Sequence, residues 1–403
     1  MTEPCATIEQ SDTIEHCDAI EHCDIGIIGG GPVGAALALA LRDSGLDIRV
    51  LEARKAEASN DARALALSCG TRLLLDRLGI WNKLNPVSSI RTIHVSQRHS
   101  FGRAVLRAAE LDVPELGYVL PYPVLQDALD NAMRASAAKV IYGASVTQLK
   151  GEPNHAAIRY QLDGAEHELH ASLAVVADGG RLLAQQFPPE TRDYDQSALI
   201  THVTCAAFKA DTAFERFTSQ GPMALLPFQD GYELVWTAPH ERAQEMLAWS
   251  DARFLAELHH HFGDRVGAFT GVGKRTCFQL GLKRAPQQTP MPHTALLGNA
   301  AQTLHPVAGQ GFNMGVRDAW ELAQVVLDTR PAELGTESML AAYRNSRRMD
   351  REAGIHFTDG LVRLFSNDLP LLTPVRAASL SLLDCLPFAK KFVAKRMMFG
   401  ANG

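Results

Sequence analysis

The chain has 403 residues, 46% hydrophobic and 21% charged, with a formal net charge of −6. This is ordinary globular composition, long enough for a large core shared between two domains. The acidic balance argues against a nucleic-acid binder, which normally carries a basic face, so no nucleic-acid partner is expected. Charge is unevenly spread: residues 1–24 hold seven acids and no Lys or Arg, whereas Ala341–Gly403 carry ten basic and five acidic residues.

The seven cysteines (Cys5, Cys17, Cys23, Cys69, Cys205, Cys277 and Cys385) form no CxxC pair. Neither a disulfide framework nor a structural zinc is indicated, and no metal is expected. The acidic start lacks the positive charge of a secretory signal. The expected location is therefore the cytoplasm, including the periphery of the inner membrane.

In chain order, residues 1–23 read as a disordered leader. Its segment Thr13–Asp18 is nearly repeated as Ala19–Asp24, and His16, Cys17, His22 and Cys23 lack a metal-ligand spacing. Residues 24–193 read as the first part of a nucleotide-binding domain. Ile25, Ile27 and Ile28 form a strand, Ala35–Leu41 an apolar helix and Ile48–Leu51 a second strand. Such a βαβ unit starts a parallel sheet. The uncharged run Ile25–Leu41 is too short, and too broken by glycine, to span a membrane. A helix is expected at Cys69–Leu78 and another at Val124–Ala135, opened by Pro123; Val140–Gln148 and Leu173–Ala177 read as strands.

Residues 194–285 change character. Ala198–Phe208, Ala224–Phe228 and Glu233–Thr237 are strand-like, with one helix near Glu241–Phe262, which suggests a separate, mainly antiparallel substrate layer. Residues 286–340 return to strand, glycine loop and helix, completing the first domain. Residues 341–403 read as a helical region broken by Pro370, Pro374 and Pro387. The fold class is thus α/β: a Rossmann-like domain, a mainly antiparallel β-sheet domain and a C-terminal helical region.

Two motifs carry chemistry. Gly29-Gly30-Gly31-Pro32-Val33-Gly34 follows a strand and opens a helix, the context a GxGxxG loop requires. Gly29 makes the turn, Gly31 admits a pyrophosphate, Gly34 allows close helix–strand packing, and the helix amino terminus favours phosphate. Glu52 ends the next strand, where a carboxylate accepts from ribose hydroxyls and repels a ribose phosphate, pointing to FAD or NAD rather than NADP in this site. The second motif runs from Gly298 to Asn313. Gly309 and Gly311 lead into a helix at Met314–Leu327, whose positive end suits the negative edge of a reduced flavin.

Taken with Asp178-Gly179 and Arg63-Ala64-Leu65-Ala66-Leu67-Ser68, these strings resemble the flavoprotein aromatic hydroxylases typified by p-hydroxybenzoate hydroxylase. The ubiquinone-biosynthesis branch, of the octaprenyl-methoxyphenol hydroxylase type, is the nearest in detail. The resemblance runs from about Asp24 to about Phe399, and the string Gly298–Pro306 is its most specific part. It implies that Arg63 and Gln126 touch the FAD diphosphate or ribityl region and that Asp178 contacts the cofactor. Gly298 and Asn299 would lie by the ribityl and phosphate, with Gly309, Gln310, Gly311, Phe312 and Asn313 by the isoalloxazine. The Pro306 carbonyl would face the substrate phenol. Two positions depart from the class: Asn299 stands where Asp is usual, and Gly180, Arg181, Leu182 and Leu183 follow Asp178-Gly179.

The resemblance further implies the reaction. NAD(P)H, the co-substrate, reduces FAD, oxygen adds, and a flavin hydroperoxide hydroxylates an electron-rich prenylated phenol. His305 is the nearest titratable candidate, either catalytic or a plain hydrogen-bonded loop residue. Gly221–Phe228 and Trp236 are apolar enough to wall a prenylated phenol, although most of these side chains read as sheet core. The basic, apolar end, Phe388–Phe399, is either a membrane-surface contact or a docked helix with a solvated basic face. A ubiquinone-biosynthesis complex or a homo-oligomer is the other expected association. Two rival readings stay open: a flavin dehydrogenase or reductase on the same fold, and a flavin-bound non-catalytic subunit.

Overall fold

The computed structural model describes residues 20–55, 63–306, 309–365 and 372–401. Its first layer is a seven-stranded sheet. From one edge the order is Lys139–Tyr142, Ile48–Glu52, Glu21–Ile28, Ala165–Val176, Ala156–Leu162 and Ser145–Gly151. Thr294–Leu296 joins alongside Ala165–Val176. The strands around Glu21–Ile28 run parallel, and the two outermost on the far side antiparallel. Ile25 and Ile27 are buried under the helices on one face, and Ile28 on the other face packs with residues of Ser145–Gly151 and Ala156–Leu162.

Several boundaries differ from the sequence expectation. The first strand begins at Glu21, so Glu21, His22 and Cys23 are paired in the sheet rather than part of a leader; His16 and Cys17 lie outside the described residues. The run Val140–Gln148 is two strands, Lys139–Tyr142 and Ser145–Gly151, because Gly143 adopts a left-handed φ of 80° between them. The helix expected near Glu241–Phe262 is two, His240–Ala248 and Asp251–Phe262. Trp249 is extended between them, and the Ser250 side chain accepts from the Arg253 amide to start the second. Pro374 lies inside the helix Leu372–Cys385 and Pro387 opens Pro387–Phe399, while Pro370 lies outside the described residues.

The second layer is a nine-stranded sheet. Its main path runs Gln302–Thr303, Thr276–Arg284, Glu190–Cys205, Gly231–Pro239, Gly221–Phe228, Thr212–Thr218, Thr92–Gln97 and Arg103–Arg107. All neighbours are antiparallel except Thr212–Thr218 with Thr92–Gln97. The last two strands of this path come from the segment expected to belong to the nucleotide layer. Alternation divides the sheet. Met223, Leu225, Leu234 and Trp236 face the helices His240–Ala248 and Asp251–Phe262, while Ala224, Leu226 and Val235 face a cavity on the other side.

Two close contacts join the glycine loops. A Cβ at Gly34 would lie 2.0 Å from the Gly29 carbonyl oxygen, so helix Pro32–Ala40 approaches the strand end as only glycine allows. Val33, in the same first turn, packs into a hollow made by Gly298 and Gly315; Cβ atoms there would fall 3.2 and 2.9 Å from its methyl carbon. The amino-terminal turns of Pro32–Ala40 and Gln310–Leu327 are thereby held side by side.

Beneath the late loop lies a buried polar network. The Asp318 carboxylate, fully buried, accepts from the Gly298 amide at 3.2 Å, from Gln302 Nε2 at 2.7 Å and from Arg347 Nε at 2.7 Å. Arg347 also donates to Asp350, which accepts from Arg317 and from the Ala401 amide. Burial alone would raise the Asp350 carboxyl, but Arg317 and Arg347 hold it down at about 2. Arg351 donates to Gln302 and to the carbonyls of Ala285 and Ala301. Asp318→Ala leaves Arg347 buried and short of a partner, with an expected cost of about 3–5 kcal/mol. Asp318→Leu combined with Arg347→Met should lose less than either single change. Urea midpoints measure both, and a double variant as unstable as the sum of the singles would show that the pair is not coupled.

Candidate active site

At the first glycine loop, Gly30 donates its amide to Glu52 Oε2 at 2.6 Å, and the Arg54 amide donates to Oε1 at 2.7 Å. The Glu52 carboxylate is buried and anchored by the backbone on both sides. Gln126, fully buried, donates to the Gly30 carbonyl at 3.0 Å and to Asp130 at 2.8 Å. Gln126 therefore braces the loop from behind. Gly31 differs from its neighbours: a Cβ there would meet nothing within 4 Å. Its backbone fronts open space at a helix amino terminus whose first turn has no acidic residue, which fits a diphosphate.

The other predicted cofactor residues gather along the same side of the helix pair. The Asp178 carboxylate accepts from the amides of Gly180, Arg181 and Leu182, so it caps its own turn, and a Cβ at Gly180 would lie 3.2 Å from the Asn299 carbonyl oxygen. Asn299 and Asp178 are thus brought near each other. Asn313 is buried; it accepts from the Ser68 amide at 2.8 Å and donates to the carbonyls of Ala66 and Gly309. That side chain ties the strand Ala64–Ser68 to the start of Gln310–Leu327. Gly309 takes a left-handed φ of 61°, and a Cβ at Gly311 would meet nothing within 4 Å. Phe312 packs on the first-layer core, Gln310 donates to the Met397 carbonyl, and Arg63 stacks over the Phe278 ring. The residues present fit an extended dinucleotide laid from Glu52, past Gly31 and Gly298, to Gly309–Asn313.

Next to that line lies an apolar cavity of about 320 Å³. Pro306, Gly309, Gln310 and Asn313 form one side, and strands of the second sheet another. The third wall consists of Phe357, Leu361 and Phe365 of the helix Glu337–Phe365, together with Leu380, Leu383 and residues of Pro387–Phe399. Of the segment expected to wall a substrate, Ala224 and Leu226 do so; Trp236 belongs to the opposite face. The terminal helix is docked through Ala394 and Met398, with the Ser68 hydroxyl donating to the Met398 carbonyl, yet it leaves Phe388 and Phe392 exposed.

His305 is 1% exposed, edge-on to Tyr194 at 5.4 Å between ring centres. Burial pushes its imidazole down to about 4, so the ring is neutral near pH 7. Between pH 4 and 6.5 the unfolded chain takes up a proton that the folded chain refuses, so this group makes stability rise with pH across that window. The effect is roughly 3 kcal/mol. His305→Gln should flatten the rise of melting temperature between pH 4 and 6.5; an unchanged profile would mean that the ring is protonated in the folded protein.

Sequence reasoning missed Asp318, Gln302 and Arg347, which fix the late loop, and Gly315, which receives Val33. The available signal was an acid and a glycine on the buried face of an otherwise apolar helix. It also missed Glu215, the one ionisable side chain among the cavity's described lining residues.

Comparison with known proteins agrees with this geometry. A family model described as an FAD binding domain matches residues 22–358. The chain belongs to that family. It is 32% identical over 393 residues to the ubiquinone hydroxylase UbiL of Rhodospirillum rubrum, covering 92% of this chain and 88% of the relative. It is 32% identical over 368 residues to the 3-demethoxyubiquinol 3-hydroxylase of Escherichia coli, covering 87% and 92%. Among solved structures, p-nitrophenol 4-monooxygenase PnpA of Pseudomonas putida shares the fold, with a TM-score of 0.76 at 16% identity over 95% of this chain and 99% of that one. This member of the family is an FAD-dependent monooxygenase of the p-hydroxybenzoate hydroxylase fold.

Proposed function

We propose that the protein hydroxylates the aromatic ring of a polyprenyl methoxyphenol intermediate of ubiquinone biosynthesis, consuming NAD(P)H and O2. The observation that carries this reading is the position of the apolar cavity. It meets the late glycine loop at Pro306 and Gly309, and apart from Ser68, Glu215, Gln310 and Asn313 its described lining is apolar, as a prenylated ring requires. The names of the relatives, a ubiquinone hydroxylase and a 3-demethoxyubiquinol 3-hydroxylase, support the same substrate class.

Bound FAD supplies the redox chemistry: two electrons from NAD(P)H and one O2 yield a ring hydroxyl and one water. The chain's part is placement. Gly31 and the helix amino terminus behind it receive the diphosphate, and Glu52 shapes the nucleoside end. The amino terminus of Gln310–Leu327 offers partial positive charge to the flavin's anionic edge. Pro306 presents its carbonyl to the substrate. His305, buried and neutral, supports the Pro306 turn against Tyr194 without adding charge. The aliphatic walls exclude water from the reacting centre.

Purified protein should show a flavin spectrum, and NADPH oxidation in air should accelerate on adding a short-tailed methoxyphenol precursor, giving a product heavier by one oxygen atom. Flavin reduction without an oxygenated product would instead identify a reductase, and bound flavin that NAD(P)H never reduces would identify a non-catalytic subunit.

The long tail of such a substrate resides in a lipid bilayer, and we infer that the terminal helix meets that surface. Phe388 and Phe392 are 73% and 67% exposed, one turn apart, beside the exposed Lys391 and Lys395. Aromatic groups flanked by lysines suit an anionic interface, and no helix among the described residues is long and apolar enough to cross a membrane. Replacing both Phe388 and Phe392 by Ser should abolish cosedimentation with anionic phospholipid vesicles while leaving flavin content unchanged. Undiminished cosedimentation would move the contact elsewhere.

A further inference from the structure

The one ionisable side chain among the cavity's described lining residues has no evident structural employment. Glu215 lies in the middle of the strand Thr212–Thr218, in register with Val95 on one side and Ala224 on the other, with Val235 beyond Ala224. All three neighbours line the cavity with it. The adjacent residues have partners of their own, and Phe214 also borders the cavity. Phe214 packs edge-on to Tyr232 and Phe262, and Arg216 donates to the His261 carbonyl and the Ser96 hydroxyl. The nearest arginine in sequence is thus turned away from the carboxyl.

Among the described residues, the other walls bring no charge. The long helix contributes Phe357, Leu361 and Phe365; the last two helices contribute Leu, Val, Ala and Met; the loop side contributes only the neutral polar groups of Ser68, Gln310 and Asn313. Desolvation alone pushes the Glu215 carboxyl up to about 8, so it is largely protonated at neutral pH. The side chain is surrounded by protein yet partly accessible, so its open surface is the cavity itself. A carboxyl in such a place is costly, and an apolar residue would serve the sheet better. A ligand that uses its hydrogen bonds accounts for it.

We propose that Glu215 recognises the substrate's ring hydroxyl: its carboxyl hydrogen-bonds the phenol oxygen while the apolar walls hold the ring and prenyl tail. This assignment rests on reading the cavity as the phenol site. A neutral carboxyl offers both a donor and an acceptor, so it pairs with a phenol fully and with an aryl ether only as donor. The small Ala224 beside it leaves room for the ring. Glu215 is in this sense a specificity-determining group, and its loss should raise KM far more than it lowers kcat.

The test uses the FAD-loaded protein and two probes, ortho-prenylphenol and its methyl ether, titrated by calorimetry. Wild type should prefer the phenol by about tenfold, since a site built to pair a hydroxyl leaves polar atoms unpaired when the hydroxyl is blocked. Glu215→Leu should bind the two probes about equally, and Glu215→Gln, whose amide keeps a donor and an acceptor, should restore most of the preference. Unchanged flavin content in both variants reports intact folding. A Leu variant that keeps the wild-type preference overturns the assignment of Glu215 while leaving the cavity reading intact. Wild type that binds neither probe overturns the cavity reading, and this assignment with it.

Discussion

The amide of Gly298 donates to a carboxylate that is itself fully buried, and the geometry of both glycine loops follows from that bond. Asp318 is tolerated there because Arg347 meets it in the same dry region and Gln302 takes its second oxygen. The arrangement fixes where the late loop leaves the first sheet. Val33 then seats between Gly298 and Gly315, which aligns the two helix amino termini. Remove the carboxylate and three elements lose their common point: the strand Thr294–Leu296, the helix Gln310–Leu327 and the helix Glu337–Phe365. Tyr343, donating to the Leu296 carbonyl from that last helix, reinforces the same junction.

The site divides its work between the two layers. The first sheet and its helices provide backbone amides, glycine openings and helix ends, which favour an anionic, extended ligand. The second sheet provides side chains, almost all apolar. Asn313 bonds to Ser68, Ala66 and Gly309, joining the strand Ala64–Ser68, part of a separate three-stranded sheet, to the late helix along the cavity edge. Gln126 and Asp178, expected at the cofactor, also hold backbone in shape. Positioning a phosphate with amides requires that those amides be rigid, so such indirect employment is consistent with the chemistry.

What the sequence made legible was local. Strand, glycine turn and helix are encoded within a dozen residues, and the Gly29–Gly34 and Gly298–Asn313 loops could be read because steric demands on glycine are position-specific. The helix Cys69–Arg77 and the opening of Tyr122–Arg134 near a proline were likewise local signals. Long-range pairing was not legible. Thr92–Gln97 joins Thr212–Thr218 across more than a hundred residues, and nothing in either strand names its partner. Glu215 carried no local signal, since its isolation is created by helices far along the chain. The split at Trp249 was missed because amphipathic periodicity continues across it while only Ser250 marks the new start.

The roof of the cavity comes from residues that follow both sheets in the chain. Residues 393–398 close a chamber whose other walls are drawn from Ala66 through Leu383, while the proposed nucleotide line is complete once Gln310–Leu327 has formed. During synthesis, therefore, the glycine loops and both sheets can be assembled while the chamber still stands open toward its future roof. Folding of the earlier segments can thus run ahead of the segment that makes an enclosed space of the chamber.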